Sequence, residues 1–285
     1  MQLSSLYQSF AITEETDNLV SKINQYAPAK KIYLLGLTRS HRRTETLFTN
    51  TSVAKHWTTH YYLLVLIEKT AGHKLSETQD RLENNLQHFI PSTVLVIYLE
   101  EFIHWLSEGH PFANSIVERA TLLFEEDGTP LPIPGAVNEE ERKNANEELY
   151  KQTLVKVESF LSGAELYRLR KEYKFAAFML HQAAEQSVRA MLIITIGLRV
   201  TSHNIDKMLR YASMFTHEAA EIISKEKGAD KRLLKLLNDA YLDTRYREDQ
   251  YTITLNDLDH LFEKVKRIKQ LFENCSNGQS PLSAT

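Results

Sequence analysis

Hydrophobic positions change their spacing halfway along the chain. Up to about residue 126, short apolar runs alternate with amphipathic stretches; from residue 150 onward the apolar seams step by threes and fours. In the first half, residues 14–25 fit a helix with Thr13 as N-cap. Glu14, Glu15 and Asp17 then fall in the first turn, where carboxylates meet the positive end of the helix dipole. The run 31–35 (Lys-Ile-Tyr-Leu-Leu) ends at Gly36 and predicts a buried strand, followed by a polar, basic loop over 36–44. Further strands are predicted over 60–67, 93–99 and 121–124, and helices over 76–89, 100–108 and 112–119. Residues 127–135 hold three prolines and two glycines, which makes them irregular. Strands separated by helical stretches point to an α/β or α+β layer.

The second half has no strand pattern. Tyr150, Leu154, Val157, Leu161 and Ala164 form one helical seam, and Phe175, Phe178, Met179, Ala183 and Leu192 another. Ile205, Met208, Leu209, Ala212 and Phe215 form a third; Leu233, Leu236, Leu237, Ala240 and Tyr241 a fourth; Leu258, Leu261, Phe262, Val265, Ile268 and Phe272 a fifth. Five amphipathic helices with short connections predict an antiparallel bundle. The fold class is therefore α+β: an α/β domain with a small sheet over residues 1–134, a linker over 135–147, an all-α bundle over 148–275 and a disordered tail over 276–285.

Composition narrows the function classes. The formal net charge of −3 over 285 residues leaves no global footprint for nucleic acid, so any such contact has to use a local patch. The longest apolar runs, 61–67 and 191–196, fall well short of the roughly 18 residues a membrane helix needs. The first ten residues lack the charged and apolar regions of a signal peptide, and a single cysteine, Cys275, excludes an intramolecular disulfide framework and a cysteine-based zinc site. A reducing cytoplasm is the expected setting. The eleven histidines show neither H-x-H nor H-E-x-x-H spacing, and there is no nucleophile elbow, Walker loop or G-x-G-x-x-G, so no metal and no cofactor are called for.

Three segments of the second half carry the candidate chemistry. His181, Glu185 and Arg189 recur every four residues, which draws one polar stripe along a helix. Thr201-Ser202-His203-Asn204-Ile205 reads as a helix start, and Ala240-Tyr241-Leu242-Asp243-Thr244-Arg245-Tyr246 as the end of another helix. Taken singly, each has a plain structural reading: a solvated stripe, a cap neighbour, an arginine that cross-links two helices. Taken in order, A-x-F-x-x-H-Q-A-A-E-Q, T-x-H-N-I and A-Y-x-x-T-R-Y resemble the HEPN family of small helical domains, over roughly residues 148–272. The resemblance implies a ligand groove lined by His181, Glu185, Arg189, His203, Asn204, Tyr241, Arg245 and Tyr246, and a homodimer formed through the bundle. HEPN ribonucleases carry an arginine followed four to six residues later by a histidine. After Arg245 this chain reads Tyr246, Arg247, Glu248, Asp249, Gln250 and Tyr251. The family's base is missing there, no catalytic residue is assigned, and nothing in the sequence brings His203, the alternative, near Arg245.

The first half, over roughly residues 10–126, is similar in its order of elements to the small nucleotidyltransferase fold that often accompanies HEPN domains. Catalysis in that family needs Gly-Ser after the first strand and two carboxylates spaced Asp-x-Asp on the second, because alternate strand residues share a face and reach one metal pair. Here Gly36 is followed by Leu37, His60 and Tyr62 stand where the carboxylates should be, and residues 93–98 contain none. The resemblance thus implies a degenerate module without magnesium-dependent transfer. Gly36 with Arg39, Arg42 and Arg43 remains a candidate phosphate contact. The expected function is nucleotide or nucleic-acid binding, in a regulatory rather than catalytic role. A metal-independent RNA endonuclease of a toxin–antitoxin or defence system and a scaffold for a partner protein are the alternatives.

Overall fold

The computed structural model describes residues 14–44, 54–69, 74–222, 228–246 and 251–276. The chain divides into two compact units, Met1–Val137 and Asn138–Thr285. The α+β class is as the periodicity predicts: a four-stranded sheet in the first unit and helices alone among the described residues of the second.

In the first unit, helix α1 (Glu14–Tyr26) leads into strands β1 (Ala29–Thr44) and β2 (Ala54–Ile67), then α2 (Leu75–Leu86), β3 (Ser92–Tyr98), α3 (Leu99–Ser107), α4 (Pro111–Arg119) and β4 (Thr121–Glu125). The sheet order is β3-β2-β1-β4. β1 runs antiparallel to both β2 and β4, whereas β2 and β3 are parallel and α2 supplies the crossover that parallel neighbours require. Residues 61–67 of β2 are buried on both faces, which explains their unbroken apolar run. Tyr61, Leu63, Val65 and Ile67 pack with Leu19 and Ile23 of α1 and Leu82 and Leu86 of α2. On the far side Phe102 and Leu106 of α3 are fully buried, with the Phe102 ring 6.4 Å from that of Tyr33.

Residues 36–44 are not the expected loop. They continue β1 as a long hairpin with β2, in register from Gly36↔Tyr62 to Thr44↔Ala54, and β2 accordingly begins six residues before His60. The segment is polar, so no hydrophobic period reveals it; the backbone ladder to the partner strand makes it a strand. The pairing slips between Leu34 and Gly36, which marks a bulge. The expected N-cap Thr13 lies outside the described residues.

The proline-rich stretch after β4 is irregular and fastened down. Gly135 N–H donates to the Leu106 carbonyl at 2.8 Å, and its own carbonyl accepts from Asn114 Nδ2 at 2.8 Å. The approach is so close that a Cβ on Gly135 would run into the Ser107 carbonyl, and one on Gly109 into that of Ala136.

The second unit contains α5 (Glu139–Leu169), α6 (Tyr173–Ile196), α7 (Ile205–Ala212), α8 (His217–Ile222), α9 (Gly228–Tyr246) and α10 (Leu255–Ser276). The described residues thus hold six helices where five seams were read, the addition being the six-residue α8. α5 begins at Glu139, inside the stretch expected to be a linker, with Asn138 as N-cap accepting from Glu141 N–H at 3.1 Å. α6 is the axis of the bundle and packs against α5, α7, α9 and α10. Its buried alanines (Ala176, Ala177, Ala183, Ala184 and Ala190) let neighbouring helices approach closely. Gly197, at φ 76°, ends α6 in the left-handed conformation that glycine adopts without strain. Residues 277–285 lie outside the described residues.

Candidate functional site

The polar stripe of α6 points inward. His181 is 0% exposed and Glu185 2%. A carboxylate buried to that degree has to be matched by charge and by hydrogen bonds. Arg189, one turn further along α6, places Nη2 2.9 Å from Glu185 Oε1. On the other oxygen, Oε2, sits His203 Nδ1 at 3.0 Å.

These contacts fix which imidazole nitrogens carry protons. A carboxylate only accepts, so His203 Nδ1 bears the hydrogen that it donates to Glu185. A backbone carbonyl also only accepts, so His181 Nε2 donates to the His203 carbonyl at 2.9 Å, and His181 Nδ1 accepts from Gln182 Nε2 at 3.3 Å. Burial holds the His181 imidazole below its ordinary pKa of 6.5, an effect only partly opposed by the bond to the His203 carbonyl and by Glu185.

The loop between α6 and α7 is therefore pinned at two successive carbonyls. Arg189 Nη2 donates to Ser202 at 3.1 Å and His181 to His203 at 2.9 Å. Asn204 then serves as the N-cap of α7, accepting from Lys207 N–H at 3.1 Å. The side chain of His203 stays 46% exposed. Its ring stacks on Tyr241 of α9, with centroids 4.5 Å apart and planes 15° from parallel, and the His181 ring lies 5.1 Å from the same tyrosine. Asn238, which the sequence reading passed over, accepts from Ile205 N–H at 2.8 Å and ties the start of α7 to α9. Its spacing of three residues before Tyr241 on a helix was the available signal.

Of the residues expected in the groove, Glu185, Arg189, His203 and Tyr241 come together with His181 beneath them. His181 is wholly internal with both ring nitrogens engaged, so it acts on the loop rather than facing a ligand. The Asn204 side-chain oxygen is occupied by the cap. Arg245 lies one helical turn beyond Tyr241 in α9, and Tyr246 closes that helix; their side chains lie outside the described residues.

The expected phosphate contact in the first unit takes a different form. Gly36 and Arg39 lie in β1, and Arg42 and Arg43 occupy register positions opposite His56 and Lys55, so the arginines stand along a hairpin and not on a loop. Arg39 is exposed; the side chains of Arg42 and Arg43 lie outside the described residues. His60 Nε2 is 2.9 Å from Thr93 Oγ1, and the His60 ring is 5.0 Å from that of Tyr62. Among the described residues no cluster of three or more histidine, cysteine, aspartate or glutamate side chains is arranged to hold a metal, and no helix is long and apolar enough to cross a membrane.

Comparison with known proteins bears on the second unit. A family model described as the HEPN domain matches residues 150–275. Among solved structures, an archaeal HEPN homologue is 21% identical with a TM-score of 0.32, over 46% of this chain and 97% of its own. A nucleotidyltransferase-like protein from Exiguobacterium sibiricum is 13% identical with a TM-score of 0.27, over 92% of this chain and 76% of its own. No curated protein matches.

Proposed function

Because residues 150–275 match the HEPN domain model, we propose that this unit binds a nucleotide, free or within single-stranded RNA, at the cluster formed by Arg189, His203 and Tyr241. The observation that carries the reading is the half-exposed His203 ring, stacked on Tyr241 and locked in orientation by Glu185. A nucleobase offers a flat π-face, and an aromatic surface that is already ordered receives it without first losing rotamer freedom. Arg189, its side chain partly exposed, adds a guanidinium held against the same carboxylate, a group whose planar donors suit phosphate oxygens. A ligand here meets one cation and an aromatic stack, which fits a short nucleotide segment better than a long duplex on a chain of net charge −3.

The test is fluorescence anisotropy with a labelled single-stranded RNA, beside thermal-shift titrations of the full chain with mononucleotides. The wild-type protein should bind, with affinity falling as salt rises, and ligand should raise the melting temperature in step with its concentration over Kd. Replacing His203 by Ala should weaken binding about tenfold or more, the order of one lost base stack, and should also lower the unliganded melting temperature, because the buried Glu185 loses its hydrogen bond at Oε2. Failure of every nucleotide and RNA to bind would remove this reading.

A further inference from the structure

We propose that the hairpin of β1 and β2 is an arm that binds single-stranded nucleic acid, through the face that carries Arg39, His41, Arg43, Lys55 and Trp57. The site belongs to the first unit and does not depend on the cluster proposed above. Backbone pairing defines the arm. β4 pairs with β1 only as far as Leu34, and β3 pairs with β2 only from Tyr61 onward. Residues 36–44 and 54–60 therefore pair with each other and, among the described residues, with no third strand. These two segments hold three arginines, a lysine and three histidines and no aspartate or glutamate, on a chain whose formal net charge is −3.

Register sorts these positions by face. Directly opposed residues of an antiparallel pair share a face, and the face alternates residue by residue. Arg39↔Thr59, His41↔Trp57 and Arg43↔Lys55 thus fall on one face, continuous with Leu37↔Tyr61. Burial pushes the Tyr61 phenol up while the Arg39 charge works against it, which places Arg39 on that side as well. The Tyr61 hydroxyl donates to Glu15 at 3.0 Å, so this carboxylate stands at the inner end of the face, and each further residue lies about 3.3 Å farther along the strand. The outer part of the face is one aromatic cross-strand pair between cations at positions 39 and 43, about 13 Å apart along β1.

Two features of this arrangement fit an anionic strand with exposed bases. Arg43 and Lys55 are directly opposed, and like charges at such positions destabilise a ladder. A polyanion lying across them converts the repulsion into attraction. Charges of mixed sign would keep the open edges from pairing with another chain without setting two cations against each other. Trp57 opposite His41 supplies π-surface between the cations, the combination of stacking and charge that holds single strands. A duplex keeps its base faces in its own stack and would use the cations alone.

The experiment uses the full chain with Trp105→Phe, which leaves Trp57 as the only tryptophan. The probes are oligo(dT) and oligo(U) of about ten nucleotides and a dA–dT duplex of equal length, titrated at several salt concentrations. Single strands of either sugar should quench the Trp57 fluorescence and bind about tenfold more tightly than the duplex. Arg43→Gln and Lys55→Gln should each flatten the dependence of log K on log salt by about 0.7, the worth of one phosphate contact on a single strand. Their melting temperature without ligand should hold or rise, because the opposed charges are gone. With Trp105 in place and binding followed by anisotropy of the labelled strand, Trp57→Ala should weaken binding about tenfold and Trp57→Phe much less. His203→Ala should leave the quenching of Trp57 in place. No quenching, a duplex bound more tightly than either single strand, or an unchanged salt slope in both charge variants overturns the arm. A lowered melting temperature with unchanged binding in Arg43→Gln and Lys55→Gln assigns both residues to the fold and overturns it too. Quenching that persists while mononucleotides fail to bind and His203→Ala has no effect supports the arm and removes the reading of the second unit.

Discussion

His181 shows how much one buried ring constrains. Its imidazole is kept neutral inside the bundle, chiefly by burial, below the ordinary pKa of 6.5. Above pH 6.5 folded and unfolded chains both hold it neutral and it adds no pH dependence. As the pH falls through 6.5 the unfolded chain takes up a proton that the folded chain refuses, so stability declines until the lowered folded pKa is reached. Denaturant midpoints measured from pH 7.5 down to pH 5 should fall more steeply for wild type than for His181→Gln, whose amide donates to the same carbonyl without titrating; equal slopes would show that His181 is not the group responsible. The stripe of His181, Glu185 and Arg189 was legible in the sequence because four-residue spacing puts side chains in one row. Which way the row faces was not. The same row is solvated on an outer helix and internal on the one helix that four others surround, and only packing decides between them.

At the scale of elements, the helices of the second unit were readable because each seam is also a burial pattern: Leu258, Leu261, Phe262, Val265, Ile268 and Phe272 are all buried in α10. The long hairpin was not readable, because residues 36–44 have no apolar period and their strand character resides in backbone pairing with residues 54–62. Ends of helices depend on single side chains, and α10 has an informative one. Thr254 Oγ1 accepts from Asp257 N–H at 3.2 Å, while Asp257 Oδ2 accepts from Thr254 N–H at 3.3 Å and from its hydroxyl at 2.7 Å, the reciprocal capping arrangement. Asp257 is also held by both terminal nitrogens of Arg232 from α9, at 2.6 and 2.8 Å. Thr254→Ala should cost about 1 kcal/mol of unfolding free energy by equilibrium denaturation, with far-UV helicity nearly unchanged. A loss indistinguishable from zero would mean that Asp257 and Arg232 start the helix without the threonine.

For the whole molecule, the central question is whether the second unit stands alone. Its core is formed from its own seams, and its first helix has its own cap at Asn138. A fragment of residues 138–276 should therefore be soluble, strongly helical by circular dichroism and cooperative on melting; an aggregated or non-cooperative product would count against an autonomous domain. The change of periodicity made two regions visible in the sequence, but the point of division was less so, since a proline-rich stretch reads as a tether. Here it is a fastening. Its end is clamped against the α3–α4 turn through Leu106, Asn114 and the close approach of Gly109 and Gly135. That sets where the chain can be cut and rejoined. A graft made among the prolines would leave the Leu106 carbonyl and the Asn114 amide without the partner Gly135 provides, and would open the underside of a turn that this segment closes. A graft made after Val137 carries the closure away intact, so in any exchange of modules these prolines travel as the last stitch of the first unit.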